Sequence, residues 1–150
     1  MIQEFTKLSK AEFSKENYVV AFSLACQALD AASKSIYPKL LSGERFKKAI
    51  NDNFALFCAK GLPGISCTDI IFSNEFLKKE LELNNDTAPL REIIYKTVRC
   101  SLIHECKLPK CIKLTKKILV GSKNGSFYLP VSIILGLLEI VNKLENEQVV

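Results

Sequence analysis

The sequence predicts an all-α fold, an up-and-down bundle of four main helices with a β-hairpin inserted before the last helix. Apolar residues recur at steps of three and four in four long segments, which is the spacing of one buried helix face. Gly (6) and Pro (5) are sparse among the 150 residues, which favours long helices over a loop-rich sandwich. The length and a hydrophobic fraction of 48% suit a single helical domain over residues 1–150.

The first half of the chain predicts two of these helices. The first covers residues 9–35 and ends before Pro38, because the residue preceding a proline is disfavoured in the helical region. The second covers residues 42–59 and ends before the Gly-Leu-Pro-Gly stretch at 61–64. Their predicted inward-facing residues are Tyr18, Val19, Phe22, Ala25, Cys26, Leu29, Phe46, Ala49, Ile50, Asn53, Phe54 and Phe57.

The middle of the chain predicts irregular structure up to residue 74, then a short helix over 74–83 and a turn at 84–87. The third main helix is predicted over residues 89–107, since Pro89 suits a first helical turn and Pro109 follows the segment. Its predicted buried residues are Leu90, Ile93, Ile94, Thr97, Val98, Ser101 and Leu102.

The apolar spacing changes to alternation between residues 110 and 130, which indicates extended chain. Asn124 and Gly125 form the dipeptide most typical of a tight β-hairpin turn, so we expect a hairpin there. The last helix is predicted over residues 130–146. Its predicted inward residues are Ile134, Leu137, Leu138, Val141 and Leu144.

Neither end of the chain predicts a membrane or secretory segment. The first 15 residues are mixed and charged, without the apolar stretch of a signal peptide. The most apolar run, residues 131–141, is shorter than the roughly 20 residues that a spanning helix needs. We therefore expect a soluble, cytoplasmic protein whose six cysteines are reduced thiols.

The positive charge is concentrated in one segment. The chain carries a formal net charge of +5, yet residues 106–138 contain no Asp or Glu and six lysines. One interpretation is a solvated edge that discourages aggregation of the sheet. The other is a surface that binds RNA phosphates through Lys107, Lys110, Lys113, Lys116 and Lys117. Only Phe127 and Tyr128 are aromatic here, which gives little support to base stacking.

The single histidine, His104, follows Arg99 by five residues, near the end of the third predicted main helix. Five residues turn about 140° around a regular α-helix, so the two side chains do not stack as neighbours. They can serve one site if the helix bulges or ends between them, or if a second subunit completes the site. The alternative is a half-buried histidine bonded to a backbone carbonyl, with Arg99 paired to an acid.

The stretch Val98-Arg99-Cys100-Ser101-Leu102-Ile103-His104-Glu105 resembles the motif of the HEPN superfamily, an Arg followed after four to six residues by His. These are small helical proteins, many of them ribonucleases of toxin–antitoxin and defence systems. The chain is also similar to an uncharacterised HEPN-like subgroup at Ala28-Leu29-Asp30-Ala31-Ala32-Ser33-Lys34-Ser35-Ile36-Tyr37-Pro38 and Glu44-Arg45-Phe46-Lys47-Lys48-Ala49-Ile50.

The resemblance implies an endoribonuclease that acts as a homodimer without a metal or another cofactor. His104 would be the general acid or base, and Arg99 would hold the scissile phosphate. It further implies a cognate antitoxin protein as a partner. Active relatives often carry a polar residue directly after the Arg, where this chain has Cys100. The alternative is therefore a non-catalytic HEPN-like module that binds a nucleotide, RNA or a protein.

Other sites are less well supported by the residue spacing. Cys100, His104, Cys106 and Cys111 could be drawn as zinc ligands, but they lack a CxxC pair. Cys100 or Cys106 beside His104 could be a thiol nucleophile. Asp30 could support Arg99, although an intrahelical pair with Lys34 is the simpler expectation. A plain helical interaction protein, in which the Arg and His spacing is a coincidence, is the third class.

Overall fold

The computed structural model describes residues 1–65, 71–73, 75–83, 87–97, 102 and 105–148. Over these residues the chain is mostly helical, as predicted, with two small β-sheets. They form seven helices rather than four main ones. The helices are α1 (Ile2–Ser14), α2 (Tyr18–Ile36), α3 (Ser42–Asp52), α4 (Phe54–Gly61), α5 (Glu75–Glu80), α6 (Leu90–Thr97) and α7 (Ile133–Gln148). The strands are β1 (Ile71–Ser73), β2 (Thr87–Pro89), β3 (Ile112–Thr115), β4 (Gly121–Lys123) and β5 (Ser126–Pro130).

The predicted first helix is two helices, because the chain reverses direction at Glu16. Glu16 adopts a left-handed φ of 64°. Its N–H donates to the carbonyl of Phe13 at 3.0 Å, and the N–H of Asn17 donates to the carbonyl of Glu12 at 2.9 Å. This pair of bonds is the Schellman motif, which normally places glycine at the left-handed position. The sequence carries no glycine here, so the break is absent from the prediction.

Helix α2 is the centre of the core. Its predicted residues Phe22, Ala25, Cys26 and Leu29 are completely buried, since α1, α3 and α7 all pack against it. The buried Ser9 of α1 also donates its hydroxyl to a backbone carbonyl of α2 at 2.7 Å. The antiparallel pair of α1 and α2 is therefore held by a polar contact as well as by apolar burial.

The predicted second helix is also two helices, separated by the buried Asn53. Its side-chain amide donates a hydrogen bond to the backbone carbonyl of Ala49 at 2.8 Å. This bond satisfies a carbonyl in the last turn of α3. Its side-chain oxygen accepts a hydrogen bond from Lys143 of α7 at 2.7 Å. Asn53 therefore ends α3, begins α4 and ties both helices to the last one.

Helices α4 and α7 cross at very short range through glycine. A Cβ atom at Gly136 would lie 2.7 Å from the Phe57 carbonyl oxygen and 3.0 Å from the Cα of Gly61. The last helix itself agrees with the prediction, because its five predicted inward residues are all buried. Gly136, which interrupts the apolar run in the sequence, is thus a contact point of the core.

The segment between α4 and α6 differs from the prediction. Strands β1 and β2 pair antiparallel, with Phe72 opposite Ala88, where the sequence predicts irregular chain and a turn. The short helix α5 lies within its predicted range. Helix α6 covers the start of the third predicted helix and buries Leu90, Ile93, Ile94 and Thr97, whereas Val98 and Ser101 lie outside the described residues.

Candidate nucleic-acid interface

The lysine-rich segment forms a three-stranded sheet in the order β3-β5-β4. Strand β5 lies in the centre, parallel to β3 and antiparallel to β4. Asn124 and Gly125 connect β4 to β5 with φ angles of 52° and 78°, the left-handed pair that a type I′ turn requires. The sequence predicts a hairpin around this dipeptide and extended chain from residue 110 onward, but it does not indicate that β3 pairs with β5 as a third strand.

The inner face of the sheet is fixed to the helical core. Phe127 and Leu129 of β5 are fully buried, and Ile112 of β3 is 3% exposed. The ring of Phe127 meets that of Phe72 edge-to-face, with centroids 5.0 Å apart. On the opposite face of β5, Tyr128 is half-buried and lies between the buried residues Ser126 and Pro130.

The outer face carries lysine and tyrosine side by side. Tyr128 of the central strand is paired with Lys113 on β3 and with Gly121 on β4. Directly paired residues project to the same face of a sheet, and residues two apart on a strand share a face. Lys123, which is paired with Ser126, therefore lies on this face as well. We call Lys113, Tyr128, Gly121 and Lys123 the outer sheet face.

All five lysines predicted to bind RNA are exposed. Lys113 lies on the sheet, while the others flank β3 in sequence. Within the described part of the chain, no carboxylate lies within 4 Å of the ammonium groups of Lys110, Lys113 and Lys117. These three therefore offer uncompensated positive charge to a polyanion.

Lys116 differs from the other lysines, because its ammonium lies 2.7 Å from the carboxylate of Glu16. The hydrogen bond and the nearby charge raise the pKa of Lys116. Glu16 is held in place by the Schellman motif between α1 and α2. Lys116 is therefore paired with Glu16, a contact that the sequence of the lysine segment does not indicate.

Arg99 and His104 lie outside the described residues, so their predicted convergence stays a prediction. Leu102, which lies between them in sequence, is described. It is completely buried and its backbone is π-helical. Its carbonyl accepts hydrogen bonds from the Ser23 hydroxyl at 3.4 Å and from the N–H of Cys106 at 3.0 Å. Leu102 is therefore held against α2.

Asp30 has a partner other than the two considered from the sequence. Its carboxylate lies 3.4 Å from the guanidinium of Arg45, which joins α2 to α3. This pair is partly buried, with 15% of the Arg45 side chain exposed. Asp30 therefore connects two helices of the core, rather than pairing with Lys34 within its own helix.

Two of the four residues that could be drawn as a zinc site or a thiol nucleophile lie within the described ranges. Cys106 is exposed and Cys111 is buried, while Cys100 and His104 lie outside the described residues. Within the described ranges, no group of three or more His, Cys, Asp or Glu side chains is placed to hold a metal ion. The proposed zinc set and thiol nucleophile stay predictions.

A separate groove of about 400 Å³ lies between α1 and α7. Its lining includes Lys7, Lys10, Asn142 and Glu145, and none of the five predicted lysines. The lysines instead lie on or beside a sheet face. Such a surface suits an extended polymer better than a small enclosed ligand.

Fold and surface together define a mostly helical protein that carries a small lysine-bearing sheet. No helix in the part of the chain that the structure describes has the length and apolar character to cross a bilayer. The chain belongs to the Rv1289 family, whose family model matches residues 2–149. No curated protein and no solved structure matches it.

Proposed function

We propose that this protein is a HEPN-like RNA-binding protein that cleaves RNA without a metal ion, as a cytoplasmic homodimer. The observation that carries RNA binding is the exposed, acid-free lysine segment around β3. Residues 106–138 hold six lysines and no acid, and Lys110, Lys113 and Lys117 have no carboxylate partner among the described residues. Lysines of this kind supply the salt-dependent attraction that dominates affinity for a phosphate backbone.

The cleavage step is assigned to Arg99 and His104 through their resemblance to the HEPN motif. His104 accepts the proton of the attacking 2′-hydroxyl or donates a proton to the leaving 5′-oxygen, since an imidazole titrates near neutral pH. Arg99 holds the scissile phosphate and offsets the negative charge that develops on its oxygens.

The backbone at Leu102 supports this assignment. In a π-helical turn the hydrogen bond joins residues five apart, so residues five apart come close to one face. Arg99 and His104 have that separation, and Leu102, between them, is π-helical. A π-helical turn across Arg99 and His104 is therefore part of the proposal, because it would bring the two side chains toward one face, which a regular helix does not. A second subunit in a homodimer is the other way to complete the site.

The physiological setting is part of the same proposal. The HEPN resemblance supports a role in a toxin–antitoxin or defence system, in which a cognate antitoxin protein restrains the ribonuclease. The non-catalytic module is the second candidate, and the observation that favours it is Cys100, in place of the polar residue that often follows the Arg in active relatives.

Cleavage of a labelled single-stranded RNA in the presence of EDTA tests the catalytic proposal. We expect cleavage by the unaltered chain and none by His104→Ala or Arg99→Ala, while both variants keep the circular dichroism spectrum and His104→Ala keeps its RNA affinity. Lys39→Ala serves as the control, because Lys39 is an exposed lysine outside the lysine segment. Unchanged cleavage by His104→Ala would remove this residue from the mechanism.

RNA affinity measured beside cleavage separates the two candidates. Binding without cleavage supports the non-catalytic module, whereas a chain that neither binds nor cleaves RNA rules out both. Sedimentation velocity measures the expected dimer, and a monomer at micromolar concentration contradicts it.

A further inference from the structure

Tyr128 has an unusual position on the outer sheet face. It lies at the centre of the three strands, with a lysine opposite on one side and a glycine opposite on the other. Its neighbour Phe127 points the other way and is completely buried. The alternation of β5 thus places one aromatic ring in the core and one on the lysine-bearing face.

The ring of Tyr128 lacks the contacts that would mark it as a core residue. Its side chain is half-buried, and within the described residues the ring pairs with no other aromatic ring and the hydroxyl makes no hydrogen bond. Tyr18, Tyr37 and Tyr95 are also half-buried, and each packs against the core cluster, whereas Tyr128 is not part of that packing among the residues that the structure describes. Burial against the core therefore does not explain an aromatic residue here.

The space beside Tyr128 is open on the β4 side. Cross-strand side chains normally cover each other, with Cβ atoms about 5 Å apart. The partner here is Gly121, and a Cβ atom built on it meets nothing within 4 Å. A planar group can therefore approach this side of the ring without displacing a side chain of the described residues.

We infer that Tyr128 is a stacking site for an unpaired RNA base, with Lys113 and Lys123 binding the flanking phosphates. The charge of the segment selects a polyanion, and an aromatic ring beside lysines is how proteins hold single strands. Bases within a duplex are stacked on each other and do not present a free face. The inference rests on the proposed RNA binding and names its substrate class, single-stranded RNA.

Fluorescence anisotropy with a labelled single-stranded RNA and a hairpin duplex tests this inference. Base stacking on an aromatic ring corresponds to a loss of about fivefold or more in affinity when the ring is removed. We expect that loss for Tyr128→Leu on the single strand, with little change on the duplex. Tyr128→Phe keeps the ring and should bind within about twofold of the unaltered chain. The salt dependence should stay unchanged in both variants, because neither removes a charge.

Photocrosslinking of the unaltered chain to an RNA that contains 5-iodouridine gives a second readout that needs no substitution. We expect the crosslinked peptide to contain Tyr128. If the chain binds RNA, but Tyr128→Leu binds as tightly and crosslinks form only elsewhere, the stacking inference is wrong and the proposed function stands. If the chain binds no RNA, both are overturned.

Discussion

Lys116 and Glu16 form an ion pair at 2.7 Å, although they are 100 residues apart in sequence. The pair connects the end of β3 to the turn between α1 and α2. It also distinguishes Lys116 from Lys113 and Lys117, which have no acidic partner among the described residues. Proximity in sequence therefore does not make these lysines equivalent toward a polyanion.

Neutralising Lys113 should weaken RNA binding more than neutralising Lys116. Lys113→Met removes an uncompensated charge. The plot of log affinity against log salt concentration, which slopes downward, should therefore become less steep by about 0.7 for a single strand. Lys116→Met should change it less, because Glu16 already compensates that charge. Glu16→Gln should strengthen binding by releasing Lys116. Anisotropy titrations at several salt concentrations measure these effects.

Lys39→Met is the control for this series, since it removes an exposed lysine elsewhere on the surface. Equal losses for Lys113→Met and Lys116→Met would contradict the ordering. An equal loss of RNA affinity for Lys39→Met would show that only the total charge of the protein matters. The lysine segment would then be explained as a solvated edge of the sheet.

The helix pattern was predictable from the sequence, but two of its breaks were not. The buried faces of α2, α3, α6 and α7 follow the spacing of apolar residues, because burial follows the helix period. The breaks fall at Glu16 and Asn53, neither of which is a glycine or proline. Glu82, which follows α5, is another non-glycine residue with a left-handed φ, of 55°. The break at Asn53 includes a hydrogen bond from Lys143 of the last helix, a non-local contact that local sequence rules do not include.

The candidate site was predictable in its charge and not in its geometry. The six lysines can be counted from the sequence. Which of them shares a face with Tyr128 depends on the parallel pairing of β3 with β5, a non-local contact. The pairing of Lys116 with Glu16 has the same origin. The alternation of Phe127 and Tyr128 was the available indication that one ring points outward.

Gly136→Ala should destabilise the protein through the crossing of α4 and α7. The added Cβ atom would lie 2.7 Å from the Phe57 carbonyl oxygen and 3.0 Å from the Gly61 Cα, so backbone must move. We expect a loss of about 1–3 kcal/mol in the free energy of unfolding, despite the better helix propensity of alanine. Urea denaturation followed by circular dichroism measures it.

Gly61→Ala is the matched control at the same crossing. Its added Cβ atom would lie 3.4 Å from the nearest atom, an ordinary van der Waals distance. It should therefore cost much less than Gly136→Ala. The reverse order of the two losses would show that the helices do not cross as described.

The cysteines should differ strongly in reactivity. Cys106 is exposed, whereas Cys26 is completely buried, and burial raises the pKa of the Cys26 thiol well above its ordinary value. Iodoacetamide reacts with the thiolate, so Cys26 should react on the order of a hundredfold or more slowly than Cys106. Peptide mapping of the folded protein measures the rates, and alkylation in urea gives the control in which both react. Comparable rates in the folded protein would place Cys26 outside the core.

Tyr37→Phe should remove part of the alkaline sensitivity of the fold. The Tyr37 hydroxyl donates to the Asp52 carboxylate at 3.0 Å. Burial, followed by this bond and the charges of Asp52 and Glu147, raises the pKa of Tyr37 from 10.0 to about 12. Below pH 10 the folded and unfolded chains both hold the phenol proton, and the hydrogen bond stabilises the fold by about 1 kcal/mol.

Between pH 10 and 12 the unfolded chain releases the Tyr37 proton while the folded chain keeps it. Because the folded state then binds more protons, its stability falls as the pH rises. The advantage of the unaltered chain over Tyr37→Phe should therefore be present at pH 8 and shrink by pH 11. Urea denaturation of both chains at the two pH values measures this, since the titration of the lysines is common to both and cancels in the comparison. An advantage that grows with pH would mean that the phenol ionises more readily in the folded protein, which the contact with Asp52 does not allow.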